Sequence, residues 1–84
     1  MKLLVVEDEK MIRQLIAKYA VFDGYEVAEA ENGMQAVEMA RAGGYDLIIM
    51  DIMMPELDGF SAAREIRKTS DVPIIFLSAR GEEY

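Results

Sequence analysis

Cysteine, histidine and tryptophan are absent from this 84-residue chain, and proline occurs only twice. Without cysteine no disulfide can staple the fold, and the lack of thiols is compatible with the cytosol. With neither cysteine nor histidine, any metal site must be built from oxygen donors, which suits Mg²⁺ or Mn²⁺ rather than zinc. No run is long and apolar enough to cross a bilayer, and the N-terminal apolar segment is too short for a signal sequence. Lysine and arginine total 9 against 16 aspartates and glutamates, a formal net charge of −7. That balance argues against this segment gripping nucleic acid, whose phosphates require basic side chains. There is no repeat, no low-complexity stretch and no P-loop, and Gly43-Gly44 lacks the other glycines of a dinucleotide fingerprint.

The segments that are present alternate in character. Lys2 to Val6 is a short apolar run rich in β-branched residues, ending in Glu7-Asp8-Glu9. Met11, Ile12, Leu15, Ile16, Tyr19 and Phe22 then recur at helical spacing, with Lys10, Arg13, Gln14 and Lys18 assigned to the outer face, and Asp23-Gly24 closes the helix. Tyr25 to Ala30 alternates as a strand. Asn32 followed by Gln35 three residues later reads as a capping box opening a helix over Met34 to Ala42, closed by Gly43-Gly44. Leu47 to Met50 is a buried type of strand. A third helix follows Asp58-Gly59, with Phe60, Ala63 and Ile66 on its inner face, and Val72 to Leu77 is a fourth strand with Pro73 near its start.

The order β-α-β-α-β-α-β predicts a single α/β domain with a doubly wound parallel sheet. Right-handed crossovers with strand order 2-1-3-4 put the first helix on one face and the other two on the opposite face. Strands one and three then become neighbours. Both end in acid, the first at Glu7 and Asp8 and the third at Asp51, and ligands of such sheets sit beyond the carboxyl ends of the strands. Three carboxylates in one partly desolvated pocket repel one another, so the pattern points to a hard divalent cation. A calcium EF-hand is excluded, since Met53 and Pro55 stand where oxygen side chains belong. The seven methionines are read as fillers of core gaps, with Met53 and Met54 near the pocket also placed to touch a partner.

With these residues in place, the chain resembles the receiver domain of bacterial two-component response regulators over essentially its whole length. The resemblance rests on Leu3 to Glu9, on Asp46 to Gly59 and on Pro73 to Ala79, in order and at these spacings. In wording these segments are similar to the winged-helix transcription-factor branch. The resemblance implies a flavodoxin-like fold in which Asp51 accepts a phosphoryl group from a histidine kinase. Asp8 and Asp51 would bind Mg²⁺ directly, the Met53 backbone carbonyl would add a ligand, and Glu7 would reach the ion through water. Ser78 matches the hydroxyl that hydrogen-bonds the phosphoryl group. The implied role is a cytoplasmic signalling switch rather than an enzyme, with at most weak self-dephosphorylation and an output in transcription.

The family pattern continues with a fourth helix, a fifth strand carrying a lysine and a switch aromatic, and a fifth helix, none of which follows Tyr84. Residues 1–84 therefore read as the N-terminal part of a receiver, with slow or no phosphorylation and with self-association through the Val72 to Leu77 edge as expectations. Two other readings compete. A Mg²⁺-dependent phosphohydrolase of the haloacid-dehalogenase type needs Asp-x-Asp after the first strand, where this chain has Glu7-Asp8-Glu9, and a cap sequence that is lacking. An association module of receiver-like fold without phosphotransfer differs only in whether Asp51 can be modified.

Overall fold

The computed structural model describes residues 1–77, and Ser78 lies outside them. The elements run β1 (Lys2–Val6), α1 (Lys10–Phe22), β2 (Glu26–Ala30), α2 (Gly33–Ala42), β3 (Leu47–Asp51), α3 (Gly59–Arg67) and β4 (Ile74–Leu77). All pairings are parallel and the strand order is β2-β1-β3-β4, as the alternation of the sequence requires. β2 and β4 begin one and two residues later than their apolar runs do. β3 extends one residue further, to include Asp51.

Strand residues of alternate parity serve opposite faces. Leu4, Val6, Ile48 and Met50 are fully buried against Ala36, Val37 and Ala40 of α2 and Ala62, Ala63 and Ile66 of α3, which makes this face the main core. On the other face Leu3, Leu47 and Ile49 border a shallow groove with Ile16, Tyr19 and Ala20 of α1. Phe60 is not an inner-face residue. It is about half exposed at the start of α3, its ring 4.9 Å from that of Phe76 on β4.

Helix α1 is oriented differently from the hydrophobic stripe in its sequence. Its buried residues are Arg13 and Ala17, whereas Met11 is 83 % and Phe22 86 % exposed, and Ile12, Leu15 and Tyr19 also face outward. The small side chains Ala17 and Ala20 fit between helix and sheet, and the Arg13 head group is drawn inward by polar partners described below. A rule that buries the largest apolar residues selects the wrong arc here.

The helix ends follow local chemistry. Asn32 Oδ1 accepts the Gln35 backbone N–H at 2.8 Å, while Gln35 Oε1 accepts the N–H of Glu31 at 2.9 Å, so the reciprocal bond falls one residue before the expected cap. Gly24 and Gly43 take φ of 96° and 86° after α1 and α2, the left-handed region that stops a helix with little steric cost in glycine. At the other end of α2, a Cβ on Gly33 would collide with the Leu57 carbonyl oxygen and lie 3.0 Å from the Leu57 Cβ. Gly33→Ala is therefore expected to destabilise the fold by about 1–3 kcal/mol, measured by urea unfolding, despite the better helix propensity of alanine.

Candidate functional site

In-register parallel pairing builds the site. Val6 is opposite Met50, so the next residues, Glu7 and Asp51, leave neighbouring strands side by side, with Asp8 one step beyond Glu7. Carboxylate oxygens of Glu7, Asp8 and Asp51 all lie within 4.8 Å of one another. Glu7 and Asp51 are only 5 % and 4 % exposed, whereas Asp8 faces solvent. A buried pair with an open third member is a cup, not a sealed core.

Burial raises the Glu7 carboxyl to about 7, an effect opposed by the Glu9 backbone N–H, which donates to Glu7 Oε2 at 2.8 Å. Neighbouring Asp8 and Asp51 push it further in the same direction. Asp51 is raised as well, first by burial and then by the charge of Asp8, against the backbone N–H groups of Met53 and Ile52, which favour its charged form. An all-oxygen donor set in which the two buried carboxyls, Glu7 and Asp51, resist ionising fits a hard divalent cation, since the ion would supply the missing positive charge.

The loop after β3 is anchored at both ends. Ile52 N–H donates to Leu77 O at 3.1 Å, and Gly59 N–H donates to Ile52 O at 2.8 Å. A Cβ on Gly59 would meet the carbonyl oxygen of Asp51 and stand 2.9 Å from Ile52 Cα, so a residue without a side chain lets α3 begin directly behind the acid. Asp58 caps α3, its Oδ1 accepting Ser61 N–H at 2.9 Å, and these bonds hold its carboxyl below the ordinary value. Asp58 is thus occupied with the helix. A wide cleft beside this loop, bordered by Met53, Met54, Phe60 and Arg64, contains none of the three acids.

The structure brings Glu7, Asp8 and Asp51 together and sets Met53 two residues past Asp51, its side chain mostly exposed. Sequence reasoning missed Arg13. Assigned to the outer face, it is 8 % exposed, and its Nη1 donates to the Glu7 backbone carbonyl at 2.9 Å while Nε donates to Glu29 Oε1 at 3.0 Å. A usable signal was present: Arg13 is in helical line with Ala17 and Ala20, small residues of the kind that pack against a sheet.

A parallel α/β sheet with a cluster of carboxylates at the point where its strand order reverses belongs to the class of folds whose ligand sites lie beyond the strand ends. The family follows from comparison: the model of the response regulator receiver domain matches residues 3–84, and the chain belongs to that family. It is 46 % identical over 82 residues to the transcriptional regulatory protein ResD of Bacillus subtilis, covering 98 % of this chain and 34 % of ResD. The chain therefore spans about a third of the length of that relative. Among solved structures it resembles the receiver domain of sensor histidine kinase PA1611 from Pseudomonas aeruginosa, which has a magnesium ion coordinated in its active-site cleft. That match has a TM-score of 0.90 and 40 % identity, covering 98 % of this chain and 70 % of the other. A chain from the complex of histidine kinase ThkA with response regulator TrrA matches with a TM-score of 0.89 and 44 % identity over 99 % of this chain and 72 % of the other. Among the described residues, no helix is long and apolar enough to cross a membrane.

The raised carboxyls fix a pH dependence. The unfolded Glu7 carboxyl releases its proton near 4.5 and the folded one near 7, so between these values the unfolded state ionises first. Stability of the metal-free protein should be greatest at the acid end of this window and fall as pH rises towards 7, with Asp51 acting in the same sense. Thermal unfolding in chelator from pH 4.5 to 7 reads this directly. Asp51→Asn should raise the melting temperature of the metal-free protein at neutral pH by several degrees, since about 1 kcal/mol moves a domain of this size by roughly 4–8 °C.

Proposed function

We propose that this chain is a phosphoacceptor switch in which Asp51 is the nucleophile that takes a phosphoryl group from a sensor histidine kinase. The observation that carries the reading is the placement of the Asp51 carboxylate, at the end of β3 and within 4.8 Å of those of Glu7 and Asp8. Asp51 and Asp8, with the Met53 backbone carbonyl, would hold Mg²⁺, or Mn²⁺ in its place, and Glu7 would reach it through water. When bound, the ion screens the carboxylates and aligns phosphoryl oxygens for in-line transfer. A carboxylate oxygen of Asp51 attacks phosphorus, the bond to the donor breaks, and an acyl phosphate results. Ser78, the residue after β4, is assigned the hydrogen bond to that phosphoryl group.

Support comes from the family itself, from the magnesium ion in the cleft of the PA1611 receiver and from the kinase-regulator pairing of ThkA with TrrA. The name of ResD, a transcriptional regulatory protein, supports an output in transcription; a winged-helix output and a cytoplasmic setting are what the family resemblance implies. The test is intact mass after incubation with acetyl phosphate. A slow, Mg²⁺-dependent gain of one phosphoryl group that is lost in Asp51→Asn is the expected result. No gain from a folded protein would overturn phosphotransfer.

A second reading, association through β4, is favoured by a separate observation. Among the described residues β4 is an edge strand, and Ile75 is 52 % exposed on it. Sedimentation at micromolar concentration should show dimers or larger species that Ile75→Lys returns to monomer. A compact monomer in the unmodified protein would end this reading.

A further inference from the structure

Buried arginine beneath a cluster of carboxylates invites a simple electrostatic explanation, but its bonds describe something else. The guanidinium of Arg13 makes its two described contacts with a backbone carbonyl and with Glu29, and with none of the three clustered carboxylates. The Glu7 carbonyl that Nη1 holds at 2.9 Å belongs to the peptide joining Glu7 to Asp8. On the other side of the same residue, Glu7 N–H donates to Ala30 O at 3.1 Å, the last described tie between β1 and β2 before the loop. The plane of that peptide sets the direction in which Asp8, exposed and beyond the strand, leaves the sheet.

We propose that Arg13 is a positioning residue for the acid site: its guanidinium, fixed by Glu29, orients the Glu7–Asp8 peptide so that Asp8 faces Asp51. The inference deepens the metal-binding part of the proposed function and rests on it. A planar guanidinium fork suits the task, because Nε–H and Nη1–H point in different directions within one rigid plane and so serve a β2 carboxylate and a loop carbonyl at once, which a single ammonium does poorly. Glu29, whose side chain is 39 % exposed, fixes the outer end of the fork and ties the end of β2 into the same arrangement.

The sign of one measurement separates the possible roles. Titrating Mg²⁺ calorimetrically into the protein and into Arg13→Met, above the Glu7 titration range, should show binding weakened about tenfold or more by the substitution, the usual scale for removing a group that orients a ligand. If Arg13 acted only as a nearby positive charge, its loss would tighten Mg²⁺ binding. A purely structural role would lower the melting temperature and leave the affinity unchanged. Either result overturns the proposal. Arg13→Lys, which keeps the charge and the fold's buried contact, should fall between, and Glu29→Gln, which keeps an Oε1 acceptor for Arg13 Nε, should stay within about twofold of the unmodified protein. A Lys variant equal to the unmodified protein would also count against the fork. Amide hydrogen exchange without metal gives an independent reading: the Glu9 N–H, bonded to Glu7 Oε2, should exchange faster in Arg13→Met. If the unmodified protein binds no Mg²⁺, the metal reading fails, while unchanged Glu9 exchange would separately overturn the positioning role.

Discussion

Mutual repulsion among Glu7, Asp8 and Asp51 is the constraint around which this small domain is arranged. Nothing in the hydrophobic core favours placing carboxylates within 4.8 Å of one another at the strand ends, and burial makes the charged forms costlier still. The fold imposes the arrangement through features that act at a distance from it. Parallel register between β1 and β3 fixes how far each acid protrudes. Apolar packing of Leu4, Val6, Ile48 and Met50 holds that register, because a slip of one residue would turn these side chains to the opposite face. Stability supplied by the core is thus partly spent on holding close together, two of them out of solvent, groups that would otherwise separate.

The three-dimensional order of strands and the convergence of the acids were legible from residues alone. Continuous apolar runs, with an alternating one for β2, each ending at an acid or a turn, specify the strands, and handedness of crossover connections leaves few alternatives for their order. Helix boundaries at Asn32 and Asp58 were legible because a capping side chain is a local device. Family resemblance then assigned roles to Asp51, Asp8, Glu7 and Met53 that no periodicity could give.

Orientation of α1 was not legible, for a physical reason. Apolar residues occupy most of its circumference, so hydrophobicity alone does not choose a face, and the choice falls to shape and to polar satisfaction. Ala17 and Ala20 fit against the sheet where Tyr19 or Phe22 would not, and the Glu7 carbonyl requires a donor that Arg13 provides. Buried arginine is rare enough that charge is ordinarily sufficient reason to place it outside. Here one backbone acceptor outweighs that expectation. The same choice turns Met11, Leu15 and Phe22 outward and leaves a broad apolar strip on the surface.

The loops of the domain divide between two poles. Connections that follow strands carry the acids and are pinned by Arg13, Gly33 and Gly59, so that backbone there has little freedom. Connections that follow α1 and α2 turn at Gly24 and Gly43, and a Cβ built on either would meet nothing within 4 Å. Length variation should accumulate at this second pole and be purged from the first. A peptide or fluorescent label grafted between Gly43 and Asp46 would sit a full strand length from Asp51, which makes that junction the natural place to lengthen the chain or attach a reporter without touching the acids.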